Sequence, residues 1–528
     1  MAGALCMLCK CTCRKTFFAF SDFFSDFRNG RNGCRTLRNV STLLPPFSSR
    51  KRVFRWRSVF TTNSCVFSMD AREKSQFLIL KSSKQKKVPV FVMMPLDSFG
   101  IDTLGTPRIK RLKALSVSLK ALKLAGVHGI AVEVWWGIVE RTSPHAYDWS
   151  LYEELFKLIF ETGLQLHIAF CFHSNNHLSA QQKGFVGLPL WIQKIGVSNK
   201  DIYYQDLNGV SSNDYLTLGV DEIPLFCGRT ALQCYEDFIF RFLDKFDSLI
   251  GRVIKEISVG LGPAGELKYP AHPYADGRWR FPGIGEFQCY DKYMMDDLRM
   301  AACQGGNSLW GDKGPLDAGC YNSFPSGTPF FEGGEKSFLS DYGNFFLEWY
   351  SGKLIHHADA ILGKVAEMLK KYQHDDQTSV LLVAKIGEVY WWYNTLSHAA
   401  ELTAGYYNTA ERDGYDPLAL MLFRHGAALQ ASCLEMKDSE TPSAYSCSPE
   451  GLLQQLHTVS KRRTIILTGR NSNERFDQAG LQQIQANCYS PEADAVRSFT
   501  YFRLSGNIFK AENWSNFVPF VRNMNTQR

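Results

Sequence analysis

The stretch GIAVEVWW, residues 129–136, decides the fold of this chain. Seven of its eight residues are apolar or glycine, and the exception is Glu133. A run with so little polar alternation predicts a β-strand that is buried on both faces, as in a parallel sheet covered by helices. Amphipathic patterns over 107–125 and 148–164 predict a helix on either side of it. The stretch therefore indicates an α/β protein.

Seven further apolar runs repeat this arrangement along the chain. The predicted strands cover 88–95, 166–173, 255–262, 379–387, 427–434, 464–469 and 498–505, and the other predicted helices cover 230–248, 343–371, 411–424 and 475–487. Eight such strands, alternating with helices, predict a single (β/α)8 barrel over residues 88–525. Chemistry in this fold sits at the C-terminal ends of the strands.

Three connections are too long and too rich in Gly, Pro and aromatic residues to be simple loops. They cover 174–229, 262–290 and 304–340. Long insertions of this kind usually carry function, so we expect them to surround the C-terminal mouth of the barrel.

The positive charge of the chain is concentrated at its beginning. Of the net charge of +7, residues 1–69 supply +10, from twelve Lys and Arg against two Asp, which leaves the remaining residues at −3. An Arg- and Ser-rich, acid-poor segment is typical of an organelle transit peptide. We therefore predict a disordered transit peptide over 1–70 and a linker over 71–87. The alternative is a basic arm for nucleic acid, but the acidic body gives no such indication.

Composition argues against several other classes. No run reaches the roughly 18 apolar residues of a membrane-spanning helix, so no membrane association is expected. Six of the fifteen cysteines lie in residues 1–65, but no His or second CxxC pair follows at zinc-finger spacing, so no metal or cofactor is expected. The nine later cysteines are scattered, which predicts buried free thiols rather than disulfides.

The predicted strand ends carry charged and aromatic residues that would meet at one mouth. They are Glu133, Trp135 and Trp136 after the second strand, His173 after the third, Glu266 after the fourth, Lys385, Tyr390, Trp391 and Trp392 at the fifth, Ser432 at the sixth, Arg470 and Asn471 at the seventh, and Arg503 at the eighth. Tryptophan rings beside polar groups suit sugars, so we expect both Trp pairs to line a cavity. The alternative for any single Trp is packing between barrel and helices.

Several motifs make this site specific. The runs are EVWWGIVE (133–140), GVD (219–221), FCGRTAL (226–232), GLGPAGELKYP (260–270), FPGIGEFQCYDKY (281–293), HAAELTAGYYN (398–408), RDGYDP (412–417) and CLEMKDSE (433–440). They resemble those of plant β-amylases, and above all the catalytically inactive chloroplastic members of that family. The resemblance implies a (β/α)8 glycoside hydrolase that releases maltose from the non-reducing ends of starch with inversion. Inversion needs two carboxyl groups about 6.5–9.5 Å apart.

One of the two implied carboxyl groups is missing. The proton donor of the family matches Glu266, whereas the general base matches Arg470 in the run Gly469-Arg470-Asn471. A guanidinium stays protonated and has no acceptor lone pair, so Arg470 cannot activate water. We also expect its charge to face Glu266 and to favour the ionised form of that carboxyl group.

Other positions that the resemblance assigns to substrate binding have changed as well. The family's Asp, His, Thr and Leu are replaced here by Glu133, Tyr390, Ser432 and Asn473, and the lid over 173–184 has no Asp and has lost a Gly pair. The substrate-binding positions that are retained are His173, Lys385, Asn471 and Arg503.

The sequence thus predicts a non-catalytic β-amylase-like protein of the chloroplast stroma. It would bind starch or another α-1,4-glucan, or a starch-degrading partner such as an active β-amylase, and would promote or regulate starch breakdown. Two alternatives stay open: an active β-amylase that uses Glu474 or another carboxylate as its base, and a scaffold that binds no sugar. DNA binding, which occurs in β-amylase-like proteins with an added basic domain, is disfavoured by the acidic body.

Overall fold

The computed structural model describes residues 87–101, 106–175, 186–373, 379–489 and 495–526. The predicted transit peptide, nearly all of the predicted linker and most of the predicted lid lie outside these ranges. The helices are α1 Leu112–Ala125, α2 Trp136–Val139, α3 Ser150–Glu161, α4 Leu190–Ser198, α5 Ala231–Lys245, α6 Lys292–Gln304, α7 Pro329–Glu332, α8 Asp341–Leu369, α9 Ala399–Ala404, α10 Tyr415–Arg424, α11 Pro449–Arg463, α12 Gln478–Cys488 and α13 Ala511–Asn525.

Eight parallel strands form a closed barrel in chain order. They are β1 Val90–Met93, β2 Gly129–Trp135, β3 Gln165–Cys171, β4 Ile254–Val259, β5 Leu381–Lys385, β6 Ala428–Ala431, β7 Leu467–Arg470 and β8 Phe499–Tyr501. The ring closes where β1 pairs with β8 on one side and with β2 on the other. All seven residues of β2 are buried, as a strand with both faces covered requires. The predicted (β/α)8 barrel is confirmed.

A helix follows each barrel strand before the next strand begins. These helices are α1, α3, α5, α8, α10, α11, α12 and α13. Local sequence fixes where some of them start. At α5, Thr230 accepts a hydrogen bond from the backbone N–H of Gln233, whose side chain accepts one from the backbone N–H of Thr230. This capping box lies in the motif FCGRTAL and satisfies two backbone donors that the helix leaves open.

The structure corrects parts of the predicted secondary structure. Residues 107–109, predicted as helical, form a short strand that pairs with Phe99–Ile101, so α1 begins at Leu112. Helices α6, α11 and α13 were not predicted.

The long connections hold their own small elements. The connection between β3 and α5 contains α4 and an antiparallel ribbon of Tyr203–Gln205 with Ser211–Leu216, and the connection between β4 and α8 contains α6 and α7.

Two further findings concern membranes and cysteines. None of the helices in the described ranges is both long enough and apolar enough to cross a bilayer. The nine cysteines in these ranges are free thiols. Six of them are buried as predicted, whereas Cys227, Cys303 and Cys320 are exposed.

Candidate active site

Strand register brings three of the predicted site residues to one face of the sheet. Lys385 of β5 lies in register with Gln430 of β6, and Ala431 lies in register with Gly469 of β7. Residues in register share a face and side chains alternate along a strand, so Lys385, Ser432 and Arg470 all point the same way. Lys385 reaches Glu266 beyond the end of β4, which identifies this face as the interior at the C-terminal mouth.

Glu266 lies buried just past β4, with 3% of its surface exposed. The turn before it contains Ala264 and Gly265, both with positive φ, so the chain bends sharply and turns the carboxylate into the mouth. Two lysines hold its two oxygens: Lys385 Nζ lies 2.6 Å from Oε1, and Lys268 Nζ lies 2.6 Å from Oε2.

This double ion pair decides the charge state of Glu266. Burial alone would raise the pKa of the carboxyl group, but Lys268 and Lys385 outweigh it and lower the pKa to about 2. A general acid of an inverting glycosidase needs a raised pKa, so that it carries its proton at working pH. The two ion pairs therefore favour the ionised form of Glu266 at neutral pH.

Arg470 ends β7 and projects into the same mouth. Its Nε donates a long hydrogen bond of 3.4 Å to the carbonyl oxygen of Asn471, and its guanidinium makes no ion pair with any carboxylate in the described ranges. Burial and the nearby Arg470 together lower the pKa of Lys385. The expectation that Arg470 favours the ionised form of Glu266 needs correction, because the charges that lower the pKa of Glu266 most are those of Lys268 and Lys385.

Glu133 and Arg503 join the second strand to the segment that follows the eighth. Nη2 and Nη1 of Arg503 lie 2.7 and 3.1 Å from the two carboxylate oxygens of Glu133, in a bidentate pair. Arg503 also donates to the carbonyl oxygen of Met94 at 2.8 Å. Burial opposes the ionised form of Glu133, but Arg503 outweighs it and lowers the pKa. Each of the two residues thus engages the other across the mouth.

The aromatic residues divide between mouth and core. His173 packs edge-on against Trp135, with ring centroids 5.1 Å apart, and its ring also lies against Gly265 beside Glu266. The expectation that both members of the first Trp pair line a cavity is wrong for Trp136. That ring is fully buried against Trp191 and Tyr235, behind the barrel wall.

The second Trp pair binds the insertion to the barrel. The indole N–H groups of Trp391 and Trp392 donate to the carbonyl oxygens of Gly283 and Pro282, at 2.9 and 2.6 Å. Tyr390 is buried edge-on against Trp391, with ring centroids 5.7 Å apart. These rings therefore fix the position of the segment FPGIGEF at the mouth.

Asn471 and Ser432 differ in whether their side-chain polar groups are hydrogen-bonded. Asn471 is fully buried, accepts from the backbone N–H of Phe502 at 2.7 Å and donates to the carbonyl oxygen of Asn473 at 2.7 Å. It ties β7 to the segment after β8. The hydroxyl of Ser432 is buried and has no hydrogen-bond partner among the described residues.

Sequence reasoning missed Glu388, a carboxylate three residues past β5. It accepts hydrogen bonds from the thiol of Cys433, at 2.9 Å, and from the hydroxyl of Ser472. Burial and the neighbouring charge of Glu266 raise its pKa. The site is thus formed across strands, since the partners of Glu388 follow β6 and β7.

Glu435 and Lys268 were missed as well. Glu435 accepts from the backbone N–H groups of Ser472 and Asn473, at 2.9 and 2.8 Å. Burial, followed by the charge of Glu388, raises its pKa to about 7. The signal for both residues was available, because each lies in a motif quoted above, CLEMKDSE or GLGPAGELKYP.

Glu474, the alternative general base, is hydrogen-bonded to residues of the segment after β8. Its carboxylate accepts hydrogen bonds from the side chains of Ser505 and of Asn507, the latter at 2.8 Å. It is thus engaged with the segment after β8. Of the predicted lid, residues 173–175 are described and 176–184 are not.

The fold and the pocket together define the class of protein: a (β/α)8 barrel with carboxylates, cations and aromatic rings gathered at its C-terminal mouth. Residues 91–528 match the sequence profile of glycosyl hydrolase family 14. The chain belongs to this family, and the resemblance to β-amylases is confirmed.

Three proteins illustrate how similar the chain is to its relatives in sequence and in structure. The chain is 65% identical to "Inactive beta-amylase 4, chloroplastic" of Arabidopsis thaliana, over 92% of this chain and 91% of that protein. It is 43% identical to "Beta-amylase 1, chloroplastic" of Oryza sativa subsp. japonica, over 84% and 81%. The crystal structure of the catalytic domain of β-amylase from Paenibacillus polymyxa has the same fold, with a TM-score of 0.67 at 24% identity, and covers 84% of this chain and 99% of that one.

Proposed function

We propose that this chain is a non-catalytic β-amylase-like protein that binds α-1,4-glucan and influences starch breakdown without hydrolysing it. The observation that carries the proposal is Arg470, which stands where the family has its general base. Glu266, at the proton-donor position, lies in the same mouth and is paired with Lys268 and Lys385.

The chemistry explains why the loss of the base matters. An inverting glycosidase must protonate the leaving oxygen and deprotonate a water molecule on the other side of the sugar. Lys268 and Lys385 lower the pKa of Glu266 and so favour its ionised form. Arg470 offers no lone pair to the water, and its positive charge disfavours the cationic transition state.

Sugar binding is proposed from the polar groups that the barrel still presents. His173, Lys385 and Arg503 keep the residue types of the family and lie at the mouth with Glu133, Tyr390 and Ser432. Asn471, the remaining retained position, is the one whose side chain is fully engaged with backbone. Glucan would then occupy a pocket that no longer cleaves it, or the chain would act together with an active β-amylase.

The proposed location is the plastid stroma. Both quoted plant relatives are named chloroplastic, and residues 1–70 have the composition of a transit peptide. Residues 88–525 form the proposed functional barrel, and residues 71–87 are the proposed linker.

The decisive experiment compares this chain with the β-amylase of Oryza sativa in maltose release from soluble starch. We expect a rate about 10²- to 10⁴-fold below that of the rice enzyme, because the general base is lost. A rate within tenfold of it would contradict the proposal, and Glu474→Gln would then show whether Glu474 acts as the base.

Calorimetry separates glucan binding from the scaffold alternative. We expect measurable heat on titration of the full chain with maltotriose at millimolar concentration. No heat at that concentration, with the rice enzyme as a positive control, would favour a scaffold that binds no sugar.

A further inference from the structure

The mouth of the barrel carries more cations than a pocket for a neutral sugar needs. Four cationic side chains, those of Lys268, Lys385, Arg470 and Arg503, share it with the carboxyl groups of Glu133, Glu266, Glu388 and Glu435. Three of these cations form ion pairs with Glu133 or Glu266, whereas the guanidinium of Arg470 makes no ion pair with a carboxylate in the described ranges.

The carboxylates are already committed to groups other than Arg470. Glu133 is held by both Nη atoms of Arg503, and Glu266 is held by two lysines. Glu388 accepts from the thiol of Cys433 and the hydroxyl of Ser472, and its raised pKa favours the neutral form. Glu435 accepts from two backbone N–H groups. Of the four cations, Arg470 is therefore the one without a carboxylate partner in the described ranges.

A second polar group beside Arg470 is also unused. Ser432 lies in register with Arg470 on the interior face, and it is 9% exposed with no hydrogen-bond partner for its hydroxyl in the described ranges. Neighbouring strands lie about 4.8 Å apart, so one bound group can contact both side chains. A guanidinium fork beside a hydroxyl donor matches a phosphate ester, whose oxygens accept two parallel N–H bonds and one O–H bond.

We propose that the pocket binds a phosphate monoester of a glucose unit, with Arg470 and Ser432 as donors to the phosphate. The inference rests on the proposed function, because it assigns a charged sugar to the same mouth. Lys385 adds a second positive charge near a phosphate that carries about −1.5 to −2 at pH 7. The ester could belong to a free sugar phosphate or to a phosphorylated glucan end, which share this chemistry.

Calorimetry on the full chain tests the proposal with matched ligands. They are glucose, glucose 6-phosphate, maltotriose, maltotriose phosphorylated at O6 of its non-reducing glucose, and inorganic phosphate. We expect each phosphorylated sugar to bind about 10- to 100-fold more tightly than its neutral counterpart, as one or two charge-assisted hydrogen bonds would give. The tighter of the two phosphorylated sugars identifies the source of the ester. Equal affinity of each charged and neutral pair would overturn the proposal, and so would inorganic phosphate that binds as tightly as glucose 6-phosphate.

Substitutions at Arg470 test whether this residue causes the preference for phosphorylated sugars. Arg470→Gln should abolish the preference for phosphorylated sugars over their neutral counterparts, whereas Arg470→Lys should keep part of that preference. Arg299→Gln, on the exposed face of α6, is the matched control and should change nothing. A preference that survives Arg470→Gln would contradict the assignment.

The neutral and charged ligands also separate the two proposals. Loss of maltotriose binding with retained glucose 6-phosphate binding would contradict glucan binding and support the phosphate site. Maltotriose binding without any phosphate preference would leave glucan binding intact and overturn the phosphate site.

Discussion

A single side chain, Arg470, changes what the mouth of the barrel can do. Under the proposed function it replaces the family's carboxylate by a fixed positive charge, which removes the water-activating step and makes the mouth more cationic. Yet the charge of Glu266 follows from Lys268 and Lys385, which approach it more directly. The proposed loss of activity also has other sources, among them the changed positions Glu133 and Tyr390.

Restoring the missing carboxylate alone should therefore fail. In Arg470→Glu, the new side chain would face Glu388, whose pKa burial and Glu266 already raise, so one of the carboxyl groups would hold a proton. Glu266 would still be paired with its lysines. We expect maltose release from soluble starch to stay at least about 100-fold below that of the rice β-amylase.

The control for this variant is a measurement of folding. The circular dichroism spectrum and thermal midpoint of Arg470→Glu should match those of the unmodified chain closely enough to show a folded barrel. Activity within tenfold of the rice enzyme would mean that the base was the sole defect, contrary to the structure.

Glu266 should now contribute to stability rather than to catalysis. Glu266→Gln leaves two buried lysines without their shared carboxylate, so we expect a loss of about 3–5 kcal/mol in the free energy of unfolding at pH 7. The folded pKa of about 2 lies below the ordinary 4.5, so this contribution is complete above pH 4.5 and is lost as the pH falls towards 2.

Urea denaturation at several pH values measures the effect. The difference between Glu266→Gln and the unmodified chain should shrink between pH 4.5 and the lowest pH at which the chain stays folded. Glu222→Gln, with a side chain that is 76% exposed, is the control and should cost less than about 0.5 kcal/mol. An undiminished difference at low pH would contradict the ionised state of Glu266.

Among the elements, the strands were predictable and the network between their ends was not. A strand such as 129–136 can be predicted from the apolar residues within its own segment, so all eight barrel strands were located from sequence. Helix α13 was missed because Pro519 lies inside it, and the start of α1 because residues 107–109 pair with a segment eight residues earlier. Glu388 was missed because its partners, Cys433 and Ser472, come from two other strand ends.

The link from β7 to the segment after β8 should depend on Asn471. Its amide joins the backbones of Phe502 and Asn473 and is fully buried. Asn471→Ala leaves a backbone N–H and a carbonyl without partners, at about 1–3 kcal/mol for each group that stays dry. We expect thermal unfolding to show a clearly lowered midpoint.

The control is the neighbouring Asn473→Ala, which keeps the backbone carbonyl that Asn471 uses. It should change the midpoint much less. If both substitutions had equal effects, the role of Asn471 as a link between elements would be wrong, and its retention would be better explained by contact with ligand.

Across the whole molecule, two sets of buried titratable groups act on stability in opposite directions near neutral pH. Burial raises the pKa of Glu256, Asp291 and Glu435 to about 7 each, which favours the folded state at low pH. Burial lowers the pKa of His167 and His272 to about 3 each, which favours the folded state above pH 6.5. The three carboxyl groups outnumber the two histidines, so the histidines offset only part of their effect. We therefore expect the stability of the unmodified chain, measured by urea denaturation, to fall between pH 5.5 and 8.

A single substitution should isolate the effect of one of these carboxyl groups on the free energy of unfolding. The raised pKa of Glu435 means that its neutral form fits the fold, so its contribution is complete below pH 4.5 and is lost as the pH rises through 7. Glu435→Gln keeps an oxygen for the N–H groups of Ser472 and Asn473 but never ionises. Its stability relative to the unmodified chain should therefore rise by about 3 kcal/mol from pH 5 to pH 8, in urea denaturation. Since every other group is common to both proteins, a difference that stays constant with pH would show that Glu435 has an ordinary pKa, and that the carboxylate cluster at the mouth carries more negative charge than the structure indicates.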